Sequence, residues 1–130
     1  MDTQSLIEAA KRALEKSYSP YSHFAVGASL HSKDGRIFTG CNVENASYGL
    51  AMCAERVALF KAVSEGATTF DAVCIVADSD IPPYMCGACR QVLYEFSEDG
   101  RIKVAYHFRG GTEETELSRL LPRPFVFRRH

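Results

Sequence analysis

The sequence predicts a three-layer α/β domain built on a mixed sheet, and three observations carry that prediction. Helix-like and strand-like stretches interleave along the chain. The run DAVCIVADS (71–79) is continuously apolar and rich in β-branched residues, the pattern of a strand buried on both faces. No segment has the composition of a linker, a repeat or a low-complexity tract, so residues 1–130 form a single domain.

Each element follows from its residues. Between Thr3 and Lys16, apolar side chains at Leu6, Ile7, Ala10, Ala13 and Leu14 make the stripe of an amphipathic helix. SYSPYSHF breaks that pattern and leads into FAVGASLH (24–31), a strand. The turn SKDG and the run RIFTG complete a hairpin. CNVENASYG (41–49) is polar and turn-prone, a loop that delivers the chain to a helix over 51–64, stopped by Gly66. After the central strand, DIPPYM is a loop. Residues 87–96 read as a helix ending near Gly100, and IKVAYHF (102–108) as a strand. RGGTEETELSRLLP contains a turn followed by either an edge strand or a helix, and the local pattern does not separate the two. PRPFVFRRH closes the sequence with an apolar and then a basic stretch, read as a solvated end.

Composition excludes several function classes. Lys and Arg number 15 against 16 Asp and Glu, with no basic excess to serve nucleic-acid phosphates. No apolar run approaches the ~20 residues that span a bilayer. The opening MDTQSLIEAAKR lacks the apolar core of a signal peptide, which predicts a cytoplasmic protein. At 46% apolar residues the chain can build a core without disulfides. Its five cysteines are therefore expected to be metal-binding, catalytic or buried thiols.

Cys86-Gly87-Ala88-Cys89 is a CxxC at the start of a helix, where residues three apart share a face. The motif alone suits a metal pair, a redox dithiol or two core thiols. It follows a loop after the third strand and not the first strand of a thioredoxin-like unit, which counts against redox. Two thiols do not complete a zinc site: a structural site takes four protein ligands, a catalytic one three plus water. Cys74 lies mid-strand and reads as a small core residue, and Cys41 ends a strand in a packing role. His23, His31, His107 and His130 do not pair at ligand spacing.

Cys53 remains, at the N-terminal end of its helix. There the helix dipole stabilises a thiolate. Three thiolates and one divalent zinc sum to a single negative charge, which Arg56, one turn beyond Cys53, is placed to offset. Glu55 lies about 200° around an ideal helix from Cys53, so the two cannot share an ion at the helix flank. With the ion at the helix end, Glu55 instead reaches the water there and can carry its proton. The surrounding Met52, Val57, Ala58, Leu59 and Phe60 make the segment apolar nearly all round, which predicts a buried carboxylate with a task.

Cys-Ala-Glu at 53–55 followed by Cys-Gly-Ala-Cys at 86–89 resembles the zinc-dependent cytidine deaminases of the small-subunit type, within the cytidine/deoxycytidylate deaminase superfamily. The likeness extends through YSPYSHFAVGASL at 18–30, GCNVENASY at 40–48, CAERVALFKAVSEG at 53–66, CGACRQV at 86–92 and ELSRLLPRPF at 116–125. It implies an α/β/α sandwich on a five-stranded mixed sheet, with one zinc per subunit on Cys53, Cys86 and Cys89. It also implies hydrolytic deamination of cytidine and 2′-deoxycytidine at C4, with Glu55 as proton shuttle and ammonia released, in pyrimidine salvage.

By the same resemblance the Ala54 backbone contacts the base and Phe24 lines its pocket. Asn42 and Glu44, alternate residues of an extended loop, hold the ribose hydroxyls. Tyr48 and Phe125 match positions that complete a neighbour's site in a homotetramer. One departure stands out. The family usually carries proline directly before the CxxC, whereas here Tyr84-Met85 precede Cys86 and the prolines are Pro82 and Pro83.

Three rivals are set against this reading. A deaminase of a modified cytosine nucleoside, such as a nucleoside antibiotic, is disfavoured because the Asn42/Glu44 pair suits an ordinary ribose. A nucleic-acid editing enzyme lacks its basic patch. A structural zinc module lacks a fourth ligand and leaves Glu55 unexplained.

Overall fold

The computed structural model describes residues 2–127. The basic end Arg128-Arg129-His130 lies outside the described residues. Helix α1 (Thr3–Leu14) is followed by strands β1 (Val26–Ser32) and β2 (Ile37–Cys41), then helix α2 (Ala54–Ser64) and strand β3 (Phe70–Ala77). Helix α3 (Gly87–Glu95), strands β4 (Lys103–Phe108) and β5 (Gly111–Glu116) and helix α4 (Leu117–Leu120) complete it.

The five strands form one sheet in the order β2-β1-β3-β4-β5. Only β3 and β4 run parallel, joined through α3, and the other neighbours are antiparallel. The sheet is mixed for a physical reason: hairpins link β1 to β2 and β4 to β5, while a parallel pair requires a crossover long enough for a helix. One face carries α1, whose Leu6, Ile7 and Ala10 pack with Cys74, Val76 and Ala105. The opposite face packs Ala58, Leu59 and Ala62 of α2, Leu93 of α3 and Leu117 of α4 against Leu30, Val73, Ile75, Val104 and Tyr106. Cys74 and Val76 thus face one layer and Val73 and Ile75 the other, as the two-residue alternation of a strand demands. Each wholly buried Leu or Ile in this core contributes ~1.5–3 kcal/mol.

Caps explain where the helices begin and end. Asp2 caps α1 by accepting a 2.7 Å bond from the Ser5 amide. Helix α2 starts at Ala54 and not at 51, because Cys53 is extended and serves as its N-cap. A 3₁₀ turn at Tyr48–Leu50 occupies the end of the preceding loop. As expected, Gly66 ends α2: it sits at φ +93°, and the amides of Gly66 and Ala67 close onto Val63 and Ala62, each at 3.0 Å. The segment left between strand and helix is both in turn, β5 and then the single turn of α4. Among the described residues, no helix is long and apolar enough to cross a membrane.

Candidate active site

Cys53 and Cys86 are the N-caps of α2 and α3, and Cys89 sits in the first turn of α3. The fold therefore brings two helix N-termini, each with free amides and a positive dipole end, to one point. The three sulfurs all lie within 4.8 Å of one another, with Cys53 Sγ and Cys86 Sγ 3.9 Å apart. The Cys89 amide donates to Cys86 Sγ at 3.5 Å. Arg56 donates from Nη2 to Cys53 Sγ at 3.7 Å, so the charge-offsetting residue reaches the sulfurs as expected. Its Nε is buried without a hydrogen-bond partner among the described residues. Cys41 and Cys74 stay apart from this cluster, at the end of β2 and in the core beneath α1.

This donor set suits zinc: three soft sulfurs converge at two helix N-termini, beside the Arg56 guanidinium. Interaction with the Cys89 thiol, aided by Arg56, pulls Cys53 down to about 5 despite its partial burial. The same contact pushes Cys89 up, so in the metal-free protein the negative charge resides on Cys53. Glu55 is 5% exposed, and burial raises its carboxyl to about 7. A carboxyl poised near neutrality accepts and returns a proton readily.

The remaining residues singled out in the sequence divide into groups. Ala54 is fully buried as the first residue of α2. Asn42 and Glu44 both turn toward the segment 17–26, where they hold main chain. Asn42 accepts from the Val26 amide at 2.9 Å and donates to the Phe24 carbonyl at 2.8 Å. Glu44 accepts from the amides of Tyr21 and Ser22 at 3.0 and 3.1 Å, and from the Ser22 hydroxyl. These bonds bind a strap to the loop that precedes the metal helix. Phe24, half-buried, lies in the strap, its amide fixed by Ser22 Oγ at 3.1 Å.

A pocket of about 310 Å³ is lined by Tyr21, Ser22, Glu44, Asn45, Tyr48 and Ala51. A larger cavity of about 970 Å³ lies between α1, β2 and α2 and is lined by Cys41 but by none of Cys53, Cys86 and Cys89, so chemistry and not size locates the site. Tyr48 is 80% exposed and meets Tyr21 edge-on, with centroids 6.4 Å apart. Phe125 is 72% exposed, its main chain clasped by Gln91 through two bonds of 2.9 and 3.0 Å. The Tyr21–Ser22 amide cradle and the Gln91 clasp escape sequence reasoning. Both involve main-chain partners more than 20 positions away, which no local pattern encodes, although Gln91 lies inside the quoted CGACRQV.

The model of the cytidine and deoxycytidylate deaminase zinc-binding region matches residues 1–106. The chain is 49% identical over 126 residues to a cytidine deaminase of Halalkalibacterium halodurans, covering 97% of this chain and 96% of that protein. It is 47% identical over 125 residues to one from Sporosarcina psychrophila, covering 96% and 92%. The crystal structure of cytidine deaminase from Burkholderia pseudomallei superposes with a TM-score of 0.88 at 48% identity, covering 96% of this chain and all of that one. A match this long takes in the strap, the loop 41–49 and the first thiol helix together, with the same sheet beneath them. The chain belongs to the cytidine and deoxycytidylate deaminase family.

Proposed function

We propose that the protein hydrolyses cytidine and 2′-deoxycytidine to uridine and 2′-deoxyuridine, releasing ammonia. The observation that carries this reading is a carboxyl buried beside three converging thiols at two helix N-termini. Held by Cys53, Cys86 and Cys89, zinc supplies the Lewis acidity that makes a water acidic at neutral pH. Glu55 takes one proton from the attacking water and passes it to N3 of the pyrimidine. It then carries the second to the amino nitrogen, so that the C4–O bond forms, the C4–N bond breaks and ammonia leaves. Arg56 offsets the negative charge of the sulfurs. The Ala54 backbone and Phe24 flank the base.

Asn42 and Glu44 are the ribose contacts. Glu44 borders the 310 Å³ pocket, which supports its place there. A cytosine nucleoside with an altered sugar would have less use for that pair. Among the described residues, the thiol cluster contains no fourth ligand, which argues against a purely structural zinc. The exposed side chains of Tyr48 and Phe125 support a homotetramer in which each supplies a neighbouring site. A nucleoside substrate and a near-even balance of charge accord with pyrimidine salvage in the cytoplasm.

The test is ammonia release from cytidine by zinc-loaded protein, with Glu55→Gln as the control. The expected result is a fall of roughly 10²–10⁴-fold in kcat with zinc content unchanged. Wild-type protein that binds zinc but leaves both nucleosides intact would sink the proposal.

A further inference from the structure

The main chain of Met85, the residue before Cys86, is held at both its N–H and its carbonyl by side chains that the proposed chemistry does not use. Met85 is 2% exposed, and unlike Pro82 and Pro83 it carries an N–H. A buried N–H without a partner is costly, and proline would have removed it while fixing φ. Here the Met85 amide donates to Tyr106 Oη at 3.2 Å, reaching across to β4. The Met85 carbonyl accepts from Arg90 Nε at 3.0 Å. Arg90 Nη1 also donates to the Leu120 carbonyl at 2.9 Å, which ties the loop to α4.

Tyr106 itself is fixed in place. It is 2% exposed, and the Tyr84 ring meets it edge-on with centroids 4.9 Å apart. The Tyr84 hydroxyl donates to Glu113 Oε1 at 2.7 Å on the edge strand β5. The two residues of the unusual pair therefore have separate roles. Tyr84 braces Tyr106 from the outside, and Met85 presents its main chain to Tyr106 and Arg90.

Of the three sulfurs, that of Cys86 depends most on this arrangement. Cys53 begins a helix that is packed on the sheet, and Cys89 lies wholly buried within α3. Cys86 is exposed and joins the loop 78–86 to its helix, so the neighbouring peptide sets its approach.

We propose that Tyr106 and Arg90 are positioning residues that clamp the Met85 peptide and so hold Cys86 in ligating geometry. This rests on the assignment of Cys86 as a zinc ligand. The experiment is zinc affinity by competition with a chromophoric chelator, read beside the melting temperature of the metal-free protein. Tyr106→Phe, which removes a single oxygen, should weaken zinc binding by roughly 10-fold, the lower end for a group that orients a ligand. Arg90→Lys, which keeps the charge but not the two-carbonyl fork, should weaken it comparably.

Tyr84→Phe, which loses only an exposed bond, should leave zinc affinity near wild type. Unchanged affinity in folded Tyr106→Phe would overturn the clamp. So would a loss that merely tracks a fall in metal-free stability. Cys86→Ser separates the two layers: wild-type affinity there overturns the ligand assignment, whereas lost affinity there with none lost in Tyr106→Phe overturns the clamp alone.

Discussion

An alanine at position 40 would drive a methyl group into the backbone of the helix that carries Glu55. Its Cβ would stand 2.5 Å from Ala58 N, 2.7 Å from Ala54 O and 3.1 Å from Ala58 Cα. Carbon contacts are comfortable at ~3.5–4.0 Å, so strand and helix must separate by roughly 1 Å. All three atoms are main chain, so no rotamer change relieves the overlap. Overpacking of this kind costs about 1–3 kcal/mol.

The displaced segment begins at Ala54, between Cys53 and Glu55, so the shift reaches the proton shuttle itself. A 1 Å misplacement of catalytic groups lowers turnover by roughly 10²-fold. The assays are thermal unfolding and kcat for ammonia release from cytidine, and Gly40→Ala should lower Tm by roughly 5 °C or more. Gly49→Ala is the control, since an added Cβ there meets nothing within 4 Å. Wild-type Tm and kcat in Gly40→Ala would refute the reasoning, because α2 would then not rest on the strand as closely as described.

Gly27→Ala should separate stability from catalysis. Its Cβ would lie 2.1 Å from Ala10 O and 2.7 Å from Leu14 N, so it lifts α1, which carries no site residue. Tm should fall while kcat per folded molecule stays near wild type, as active-site titration beside a melt would show. Asn42→Ala leaves the Val26 amide and the Phe24 carbonyl without their partner, a loss of about 1–3 kcal/mol measurable by urea unfolding. Its KM for cytidine should rise as well.

The Ser22 hydroxyl, with the Ser22 and Tyr21 amides, holds Glu44 below the ordinary carboxylate range. A depressed carboxyl contributes above its unfolded pKa, and that contribution is lost only as pH falls through the lower folded value. Hydrogen exchange should therefore find the Tyr21 and Ser22 amides still protected at roughly pH 4, where a free Glu is about half protonated. Protection should be absent at every pH in Glu44→Ala. Zinc release, followed with a chelating dye, should accelerate as pH falls, because protons compete for the three thiolates.

The sequence determined what short-range chemistry can encode. The apolar stripe of α1, the β1–β2 hairpin, the Gly66 stop and the CxxC at the head of α3 depend on neighbours within about a helical turn. Elimination among five cysteines reached Cys53, and the apolar surroundings of Glu55 foretold its burial. The position of α2 was less legible, because Cys53 caps the helix and does not lie within it.

What tertiary structure alone decided involves partners far apart in the chain. The parallel pairing of β3 with β4 sets the two thiol helices side by side, and periodicity along one strand says nothing about its neighbour. The bonds of Asn42 and Glu44 to the strap, of Tyr106 to Met85 and of Gln91 to Phe125 link residues 16 to 34 positions apart. Hydrogen bonds of that kind form only once the sheet has brought the loops together, so their donors and acceptors look like ordinary surface residues until the chain is folded.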